Sequence, residues 1–313
     1  MRLVVALGGN ALLRRGEAMS AGNQWTNVRR AAASLASLIT AGHQLVITHG
    51  NGPQIGLLAL QAEAGPKDGA YPLDVLDAES EGMIGYMIEQ ELRNHLPPGA
   101  QAATLLTQVR VDAADPAFGS PDKPIGQVYG EAEAVRLAAA RGWQVAADGR
   151  GWRRVVASPM PLEILQQPVV SVLIDAGVTV ICTGGGGIPC TRQADGTVVG
   201  AEAVVDKDRA SAVLAIGLGA DMLMMLTDVE AAYIGFGTAQ ARAISRADPH
   251  SLQARRSEFH AGSMGPKIES AIRFATDAGH KAGIGRLEDA GAILDGTAGT
   301  VVDPTADGLE FRT

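Results

Sequence analysis

Short apolar runs alternate with stretches of helical periodicity along the whole chain. Arg2 to Leu7 is almost continuously apolar, as expected for a strand buried on both faces of a parallel sheet. Apolar residues then recur at steps of three and four, which predicts a helix with one buried face, ended by Gly42. These residues are Trp25, Val28, Ala32, Leu35 and Ile39. Gln44 to Thr48 is predicted to be the second strand.

The same alternation continues to the end of the chain and indicates an α/β fold. Further buried strands are predicted at Val178 to Thr183, Met222 to Thr227 and Ala282 to Gly285. Further helices are predicted at Asp206 to Ile216, Pro266 to Ala278 and Leu287 to Leu294. Strands that alternate with helices are typical of a parallel sheet covered by helices on both faces. The sequence shows no internal repeat.

One stretch interrupts this alternation. It lies between two predicted helices, Asp74 to His95 and Glu131 to Ala140, and its prolines and glycines are expected to prevent regular structure. Trp143 and Trp152 follow it. Because a structureless loop of this length is unusual inside a compact domain, we predict that about residues 109–161 form a small protruding subdomain with its own core. Periodicity does not decide whether the first of these helices packs in the core or in a dimer interface.

Composition and charge narrow the class of protein. Of the 313 residues, 46% are hydrophobic and 19% are charged, so the chain has enough apolar surface for a globular fold. The net charge of −8 argues against nucleic acid or an anionic membrane surface as the main partner. Cys182 and Cys190 fit neither a zinc site nor a disulfide framework, and the apolar run Leu3 to Leu7 is too short for a signal peptide or a membrane span. We therefore expect a protein of the reducing cytoplasm.

Four glycine-rich segments follow predicted strands or open predicted helices. They are residues 7–10, 49–53, 184–187 and 262–267. Glycine lets backbone N–H groups approach an anion, and a helix N-terminus adds unpaired donors. One such segment alone indicates a tight turn, whereas four at strand–helix junctions predict a ligand site at the carboxyl ends of the strands. Gly50 to Gly56 only approaches the dinucleotide-binding fingerprint, and the Gly-Lys pair of a Walker A loop does not occur.

Lysine is scarce, which draws attention to its positions. Five of the 26 basic residues are lysine, namely Lys67, Lys123, Lys207, Lys267 and Lys281. A chain that uses arginine for general surface charge could keep lysine where a compact charge must meet a phosphoryl group. Lys67 and Lys281 are expected to be solvated, whereas Lys123 lies in the protruding stretch. Lys207 and Lys267 open helices, and the acidic neighbours of Lys207 would keep it protonated.

Nine segments of the sequence resemble those of the carbamate kinases, within the amino acid kinase fold family. In chain order they are ALGGNAL (6–12), THGNGPQIG (48–56), PLDVLDAESEGMIGYMIEQEL (72–92), DPAF with DKPIG (115–126), GWRRVVASPMP (151–161), TGGGGIP (183–189), VVDKDRASA (204–212), LTDVE (226–230) and GSMGPKIESAI (262–272). Together they span nearly the whole chain.

The resemblance implies a fold and a reaction. The expected fold is an α/β three-layer αβα sandwich with a largely parallel open central sheet and a small protruding subdomain, assembled as a homodimer. Residues 1–313 would form one domain, with an acceptor lobe at about 1–200, the protruding lid at about 109–161 and a nucleotide lobe at about 201–313. The implied reaction is reversible transfer of a phosphoryl group from ATP to carbamate, with Mg²⁺. During arginine or purine breakdown, the reaction would proceed in the direction that forms ATP.

The resemblance also assigns site residues. The carbamate and the transferring phosphoryl group would be surrounded by Gly8, Gly9, Asn10, Gly50 and Asn51. Lys207 and Lys267 would contact the phosphoryl oxygens, with Asp208 as the organiser of both lysines. Lys123 would be brought in by the protruding subdomain. The nucleotide is expected near Thr227, Asp228, Met264 and Gly265.

The end of the first strand separates branches of this fold family. Relatives that act on acetylglutamate or aspartate resemble Lys-x-Gly-Gly there, whereas this chain has Ala6 in place of the lysine. The missing lysine points to the carbamate branch, with Lys207 supplying the charge instead.

The implied chemistry requires few kinds of residue. Carbamate is already an anionic nucleophile, so alignment and charge neutralisation suffice without a general base. His49 is therefore expected to be structural. Mg²⁺ is expected to be held chiefly by nucleotide phosphates and water, so that a dense cage of carboxylates is not needed. Two alternatives stay open. One alternative is another acyl-phosphate or nucleoside-monophosphate kinase on the same fold, and Ala6 argues against it. The other is a non-catalytic nucleotide sensor, which would have little reason to retain Lys123, Lys207 and Lys267 together.

Overall fold

The computed structural model describes residues 1–14, 16–65, 71–149, 151–259 and 264–312, without the side chains of Asn10, Ala11 and Glu63. Lys67, Gly262 and Ser263, which the sequence analysis singled out, lie outside the described residues. Within the described ranges, no helix is both long and apolar enough to cross a membrane.

Strands and helices alternate around Arg2–Leu7, Gln44–His49, Met222–Thr227 and Lys281–Arg286, as the sequence predicts, whereas elsewhere in the described ranges several short strands follow one another with no α-helix between them. The strands are β1 (Arg2–Leu7), β2 (Gln44–His49), β3 (Ala102–Thr104), β4 (Gln108–Arg110), β5 (Lys123–Tyr129), β6 (Gln144–Asp148), β7 (Gly151–Val156), β8 (Glu163–Ile164), β9 (Thr179–Ile181), β10 (Ile188–Arg192), β11 (Val198–Gly200), β12 (Met222–Thr227), β13 (Tyr233–Ile234), β14 (Arg242–Ala247), β15 (Lys281–Arg286), β16 (Thr300–Val302) and β17 (Leu309–Phe311). The helices are α1 (Gly9–Leu12), α2 (Ala21–Thr40), α3 (Gly52–Ala64), α4 (Leu73–His95), α5 (Glu131–Arg141), α6 (Gln167–Asp175), α7 (Lys207–Gly217), α8 (Pro249–Ala254), α9 (Met264–Ala278) and α10 (Ala290–Leu294).

A large, mostly parallel sheet forms the centre of the molecule. Its strand order is β13-β14-β16-β15-β12-β1-β2-β9-β3, with β17 paired to β14. The strands from β15 to β3 in this order all run parallel, whereas β16 pairs with β15 in the antiparallel direction. The predicted α/β class with a largely parallel open sheet is therefore confirmed.

Side-chain alternation along β1 creates a core on each face of this sheet. Leu3, Val5 and Leu7 pack in a buried cluster with residues of α2, α4 and α10. Val4 and Ala6 point the other way and pack with residues of α6, α7 and α9. Helices thus cover both faces, which gives the three layers that the resemblance implies.

The proline- and glycine-rich stretch is more regular than its composition predicts. Lys123–Tyr129 forms β5 although it contains Pro124 and Gly126. β5 is an edge strand of a small antiparallel sheet of order β5-β7-β6, and an edge tolerates the missing N–H of proline. Gly126, at φ 73°, lies where the register shifts between Ile125 and Tyr129, as in a β-bulge. The expectation that this stretch lacks regular structure is wrong for β5.

A separate small core lies under this three-stranded sheet. It consists of Tyr129, Ala134, Leu137, Trp143, Val145 and Trp152. The guanidinium groups of Arg141 and Arg154 lie 4.8 Å and 5.1 Å from the centre of the Trp143 ring. Residues 123–156 therefore carry their own sheet, helix and core.

Two glycines bring the three-stranded sheet against α3. A Cβ atom on Gly56 would overlap the backbone N and Cα of Gly126, so the two backbones touch directly. Ile55, Ile125 and Val156 are buried together around this contact. The close backbone approach fixes how the sheet sits on α3.

We expect Gly56→Ala to destabilise the protein, because the added methyl group meets backbone atoms that move only if β5 shifts. The expected loss is about 2 kcal/mol in the free energy of unfolding, measured by chemical denaturation. Gly22→Ala in α2 is the control, since a Cβ there meets nothing within 4 Å and alanine favours a helix. Equal stability of the two variants would show that the contact does not fix the sheet.

Candidate active site

A cleft opens at the carboxyl ends of the central strands, where the predicted glycine-rich turns meet. It encloses a cavity of about 280 Å³. The residues around it include Gly8, Gly9, Gly50, Asn51, Lys123, Arg153, Gly185, Asp206, Lys207, Asp208, Thr227 and Lys267. Ligands of open α/β sheets bind at this edge of the sheet, as the sequence predicts for this chain.

Two lysines share one carboxylate in this cleft. Lys207 donates to Asp208 Oδ1, and Lys267 Nζ lies 2.9 Å from Asp208 Oδ2. All three side chains are at most a tenth exposed. Lys207 and Asp208 begin α7, Lys267 lies in the first turn of α9, and these two helices pack on each other. The carboxylate therefore sets the spacing of the two ammonium groups.

A third lysine enters the cleft from the three-stranded sheet. Lys123 Nζ lies 2.5 Å from Asp206 Oδ2. Asp206 Oδ1 accepts from the backbone N–H groups of Asp208 and Arg209, so the same side chain is the N-cap of α7. Three ammonium groups face two carboxylates here, which leaves the cluster with one positive charge for an anionic ligand.

Burial and pairing shift the pKa values of this cluster in different directions. Burial lowers the pKa of Lys207 to about 8, against the opposing attraction of Asp208. Burial would also lower the pKa of Lys267, but the ion pair with Asp208 outweighs it, so this pKa is raised. Burial would raise the pKa of Asp208, and the two lysines more than offset it, so this pKa is lowered. At neutral pH the two lysines are therefore cationic and Asp208 is anionic.

The turns after β1 and β2 pack tightly against each other and against Lys207. A Cβ atom on Gly50 would lie 3.3 Å from Gly9 N and 3.4 Å from the Lys207 Cδ. Gly8 N donates to Leu226 O at 2.7 Å, which fixes the first turn to β12. Glycine at these positions keeps backbone amides within reach of a ligand.

His49 lies next to the cleft, and its imidazole is in the neutral form near neutral pH. It is fully buried, and burial lowers the pKa of its imidazole to about 4. The neutral ring packs against Gly184, where a Cβ atom would overlap it. This environment supports a structural role for His49.

Most of the site residues predicted from sequence lie around this one cavity. They are Gly8, Gly9, Gly50, Asn51, Lys123, Lys207, Asp208, Thr227 and Lys267. Asp228 is adjacent and accepts from the Thr227 hydroxyl at 3.2 Å, while Met264 and Gly265 begin α9 without lining the cavity. The side chain of Asn10 lies outside the described residues.

Lys281 lies away from this cluster. It is at the start of β15, is 58% exposed and pairs with Asp303 at 3.2 Å.

Sequence reasoning missed Arg153. Successive residues of β7 point to opposite faces, so Arg153 lines the cavity while Arg154 lies over the Trp143 ring. Arg153 Nη1 donates to Asp148 Oδ2 at 3.1 Å, and its buried Nε has no hydrogen-bond partner among the described residues. The two adjacent arginines in the segment GWRRVV were the signal, since alternation in a strand directs one of them to each face.

Comparison with known proteins identifies the family. The family model described as the amino acid kinase family matches residues 1–285. A carbamate kinase from Rhizobium meliloti (strain 1021) is 50% identical over 314 residues, which cover 100% of this chain and 96% of that protein. The chain belongs to the amino acid kinase family, among the carbamate kinases. The resemblance seen in the nine segments is confirmed, and the protein is a kinase, that is, a phosphotransferase.

Further amino acid kinase relatives give the same result. A carbamate kinase from Haemophilus influenzae is 50% identical over 311 residues, which cover 99% of each chain. The solved structure of the carbamate kinase from Giardia lamblia bound to citric acid has a TM-score of 0.90 and 42% identity. That alignment covers 96% of this chain and 98% of the Giardia protein.

We expect kcat/KM of the phosphotransfer reaction to fall as the pH rises through about 8, because Lys207 then loses its proton and its positive charge. A pH series of initial rates measures this. In Lys207→Arg the guanidinium stays charged, so the remaining activity should not show this loss. A wild-type profile that is flat to pH 9.5, or an equal loss in the arginine variant, would contradict the assignment.

Proposed function

We propose that this kinase transfers the γ-phosphoryl group of ATP reversibly to carbamate, giving ADP and carbamoyl phosphate. The observation that carries the proposal is the meeting of Lys123, Lys207 and Lys267 around one cavity, two of them on a shared carboxylate. The two relatives named carbamate kinase, at 50% identity over 96% and 99% of their length, support the same acceptor.

The reaction then proceeds by alignment and charge neutralisation. An anionic carboxylate oxygen of carbamate attacks the γ-phosphorus while the bond to the bridging oxygen of ADP breaks, and the electron pair stays on ADP. No proton has to leave the nucleophile, which agrees with a neutral, buried His49. Lys207 and Lys267 neutralise the charge on the transferring group, and the backbone amides of Gly8, Gly9 and Gly50 orient it.

Mg²⁺ accompanies the nucleotide in this proposal. The carboxylates in the cleft are engaged already: Asp208 by Lys207 and Lys267, and Asp206 by Lys123 and the start of α7. Within the described residues, no group of three or more acidic, histidine or cysteine side chains is arranged to hold a metal. We therefore infer that the ion is bound through nucleotide phosphates and water, where it supplies further positive charge.

The three-stranded sheet would act as a lid. It carries Lys123 and Arg153 on the side of the cavity, and water excluded by a closed lid cannot compete for the phosphoryl group. The rest of the chain would divide into an acceptor lobe at about residues 1–200 and a nucleotide lobe at about residues 201–313. The nucleotide would bind near Thr227, Asp228, Met264 and Gly265.

We further infer that the protein is a cytoplasmic homodimer and that its reaction proceeds in the direction of ATP formation during arginine or purine breakdown. The compartment is inferred from the two free cysteines, which suit a reducing environment, and the direction is inferred from the family resemblance. The dimer is supported by an exposed apolar surface at the edge of the central sheet, where Met83 is 38%, Tyr86 57% and Leu106 51% exposed. These residues lie on α4 and beyond β3, the last strand of the sheet.

One assay distinguishes the proposed reaction from its alternatives. ATP formation from ADP and carbamoyl phosphate is measured by coupled luminescence. Acetyl phosphate is tested beside it as another phosphoryl donor, and nucleoside monophosphates are tested with ATP as other acceptors. The proposal predicts that carbamoyl phosphate is the preferred phosphoryl donor. A preference for another substrate would indicate a different kinase, and nucleotide binding without turnover would indicate a sensor.

Lys267→Ala is expected to lower kcat by roughly 10²-fold or more, the effect of losing one preorganised donor to the developing charge. Lys281→Ala is the matched control, because that lysine is exposed and its partner Asp303 keeps Arg246 as a second cation. Both variants are checked for folding by circular dichroism. A kcat of Lys267→Ala within a few-fold of wild type would remove this lysine from the site.

Lys123→Ala is expected to lower kcat by about tenfold or more while the Kd for ADP stays unchanged, because this lysine belongs to the lid rather than to the nucleotide lobe. Calorimetry gives the Kd and steady-state kinetics give kcat. A loss of ADP affinity with a normal kcat at saturation would contradict the lid assignment.

A further inference from the structure

Beneath the cavity, α4 presents buried polar side chains that phosphoryl transfer does not require. Asp77 and Ser80 are fully buried, one turn apart on the same helix face. Asn51, which lines the cavity, places its Nδ2 at 2.6 Å from Asp77 Oδ1 and 2.8 Å from Ser80 Oγ. These contacts join α4 to the acceptor side of the site.

The hydrogen bonds fix which end of the Asn51 amide faces inward. The Ser80 hydroxyl donates its proton to the backbone oxygen of Asp77 at 2.9 Å, so Ser80 Oγ can only accept from Asn51. Burial raises the pKa of Asp77, and Asp77 Oδ1 accepts from Asn51 Nδ2 in the structure. Both N–H groups of Asn51 are therefore used internally. A flipped amide would place oxygen against oxygen at Ser80.

The loop after β9 prevents the amide from swinging away. A Cβ atom on Gly185 would overlap the Asn51 amide, so the backbone lies directly over it. Glu81, one turn after Asp77, holds this loop by accepting from the Gly184 N–H at 2.8 Å and the Thr107 hydroxyl at 2.7 Å. Asn51 is thus clamped between α4 and the Gly184–Gly185 backbone.

This orientation leaves Oδ1 as the group that Asn51 offers to a ligand. Among the described residues, the hydrogen bonds of the Asn51 side chain are the two that Nδ2 donates, and neither involves Oδ1. A carbonyl-type oxygen can accept an N–H but gains nothing from a methyl group. Carbamate and acetate have nearly the same shape and charge, and they differ in whether an amino or a methyl group is attached to the carboxylate.

On the basis of the proposed function, we propose that Asp77 and Ser80 are positioning residues that make Asn51 Oδ1 an acceptor for the amino group of carbamate. They thereby select carbamate over carboxylates without an N–H. A site built to accept a hydrogen bond discriminates against an analogue that lacks the donor, because the buried acceptor is then left unpaired.

The test compares two phosphoryl donors to ADP, carbamoyl phosphate and acetyl phosphate, in wild type, Ser80→Ala and Asp77→Leu. We expect both variants to lower the ratio of the two kcat/KM values by about fivefold, the effect of one hydrogen bond between neutral groups. The fall should come from carbamoyl phosphate, with the KM for ADP unchanged. Where turnover of acetyl phosphate is too slow, its inhibition constant against carbamoyl phosphate replaces its kcat/KM.

Two matched variants distinguish a loss of selectivity for carbamoyl phosphate from a general loss of activity. Asp77→Asn keeps an oxygen acceptor and should retain the wild-type ratio. Glu81→Gln disturbs the loop but not the amide orientation, so it should slow both donors equally. An unchanged ratio in both Ser80→Ala and Asp77→Leu would overturn the proposal. Wild-type protein that makes no ATP from carbamoyl phosphate would instead overturn the proposed function itself.

Discussion

The negative charge of Asp208 is the constraint on which the site depends. Two ammonium groups in one buried pocket repel each other, and burial alone favours their neutral forms. By accepting from both Lys207 and Lys267, Asp208 keeps them cationic and sets their spacing. Because α7 supplies the carboxylate and one lysine while α9 supplies the other, the packing of these two helices also aligns the pair that meets the phosphoryl group.

A second carboxylate next to Asp208 also positions a lysine. Asp206 caps α7 and also binds Lys123, so the start of one helix orients a lysine from the three-stranded sheet. The contact of Gly56 with Gly126 determines where that sheet lies. Each of the three lysines is thus held by an acidic side chain at the start of α7, and the cluster keeps one positive charge until an anion enters. A cleft with this charge can attract phosphate groups even though the whole chain is acidic.

The sequence was sufficient where local chemistry decides the structure. Continuous apolar runs located β1 and β12, and the scarcity of lysine indicated the three that line the cavity. It was insufficient where packing decides. Pro124 and Gly126 suggested irregular structure, but an edge position and a bulge accommodate both in β5. Arg153 and Asp77 have ordinary positions in a strand and a helix, and only the docking of those elements against the cleft brings them to the site.

A crystal structure with ADP, Mg²⁺ and aluminium fluoride tests the central claim most directly, because the fluoride complex imitates the phosphoryl group in transfer. The account predicts that the Nζ atoms of Lys207 and Lys267 both donate to this complex while Asp208 still lies between them. A complex in which either Nζ points away from the fluoride ligands, or in which Asp208 leaves the lysines to bind the metal, would contradict it.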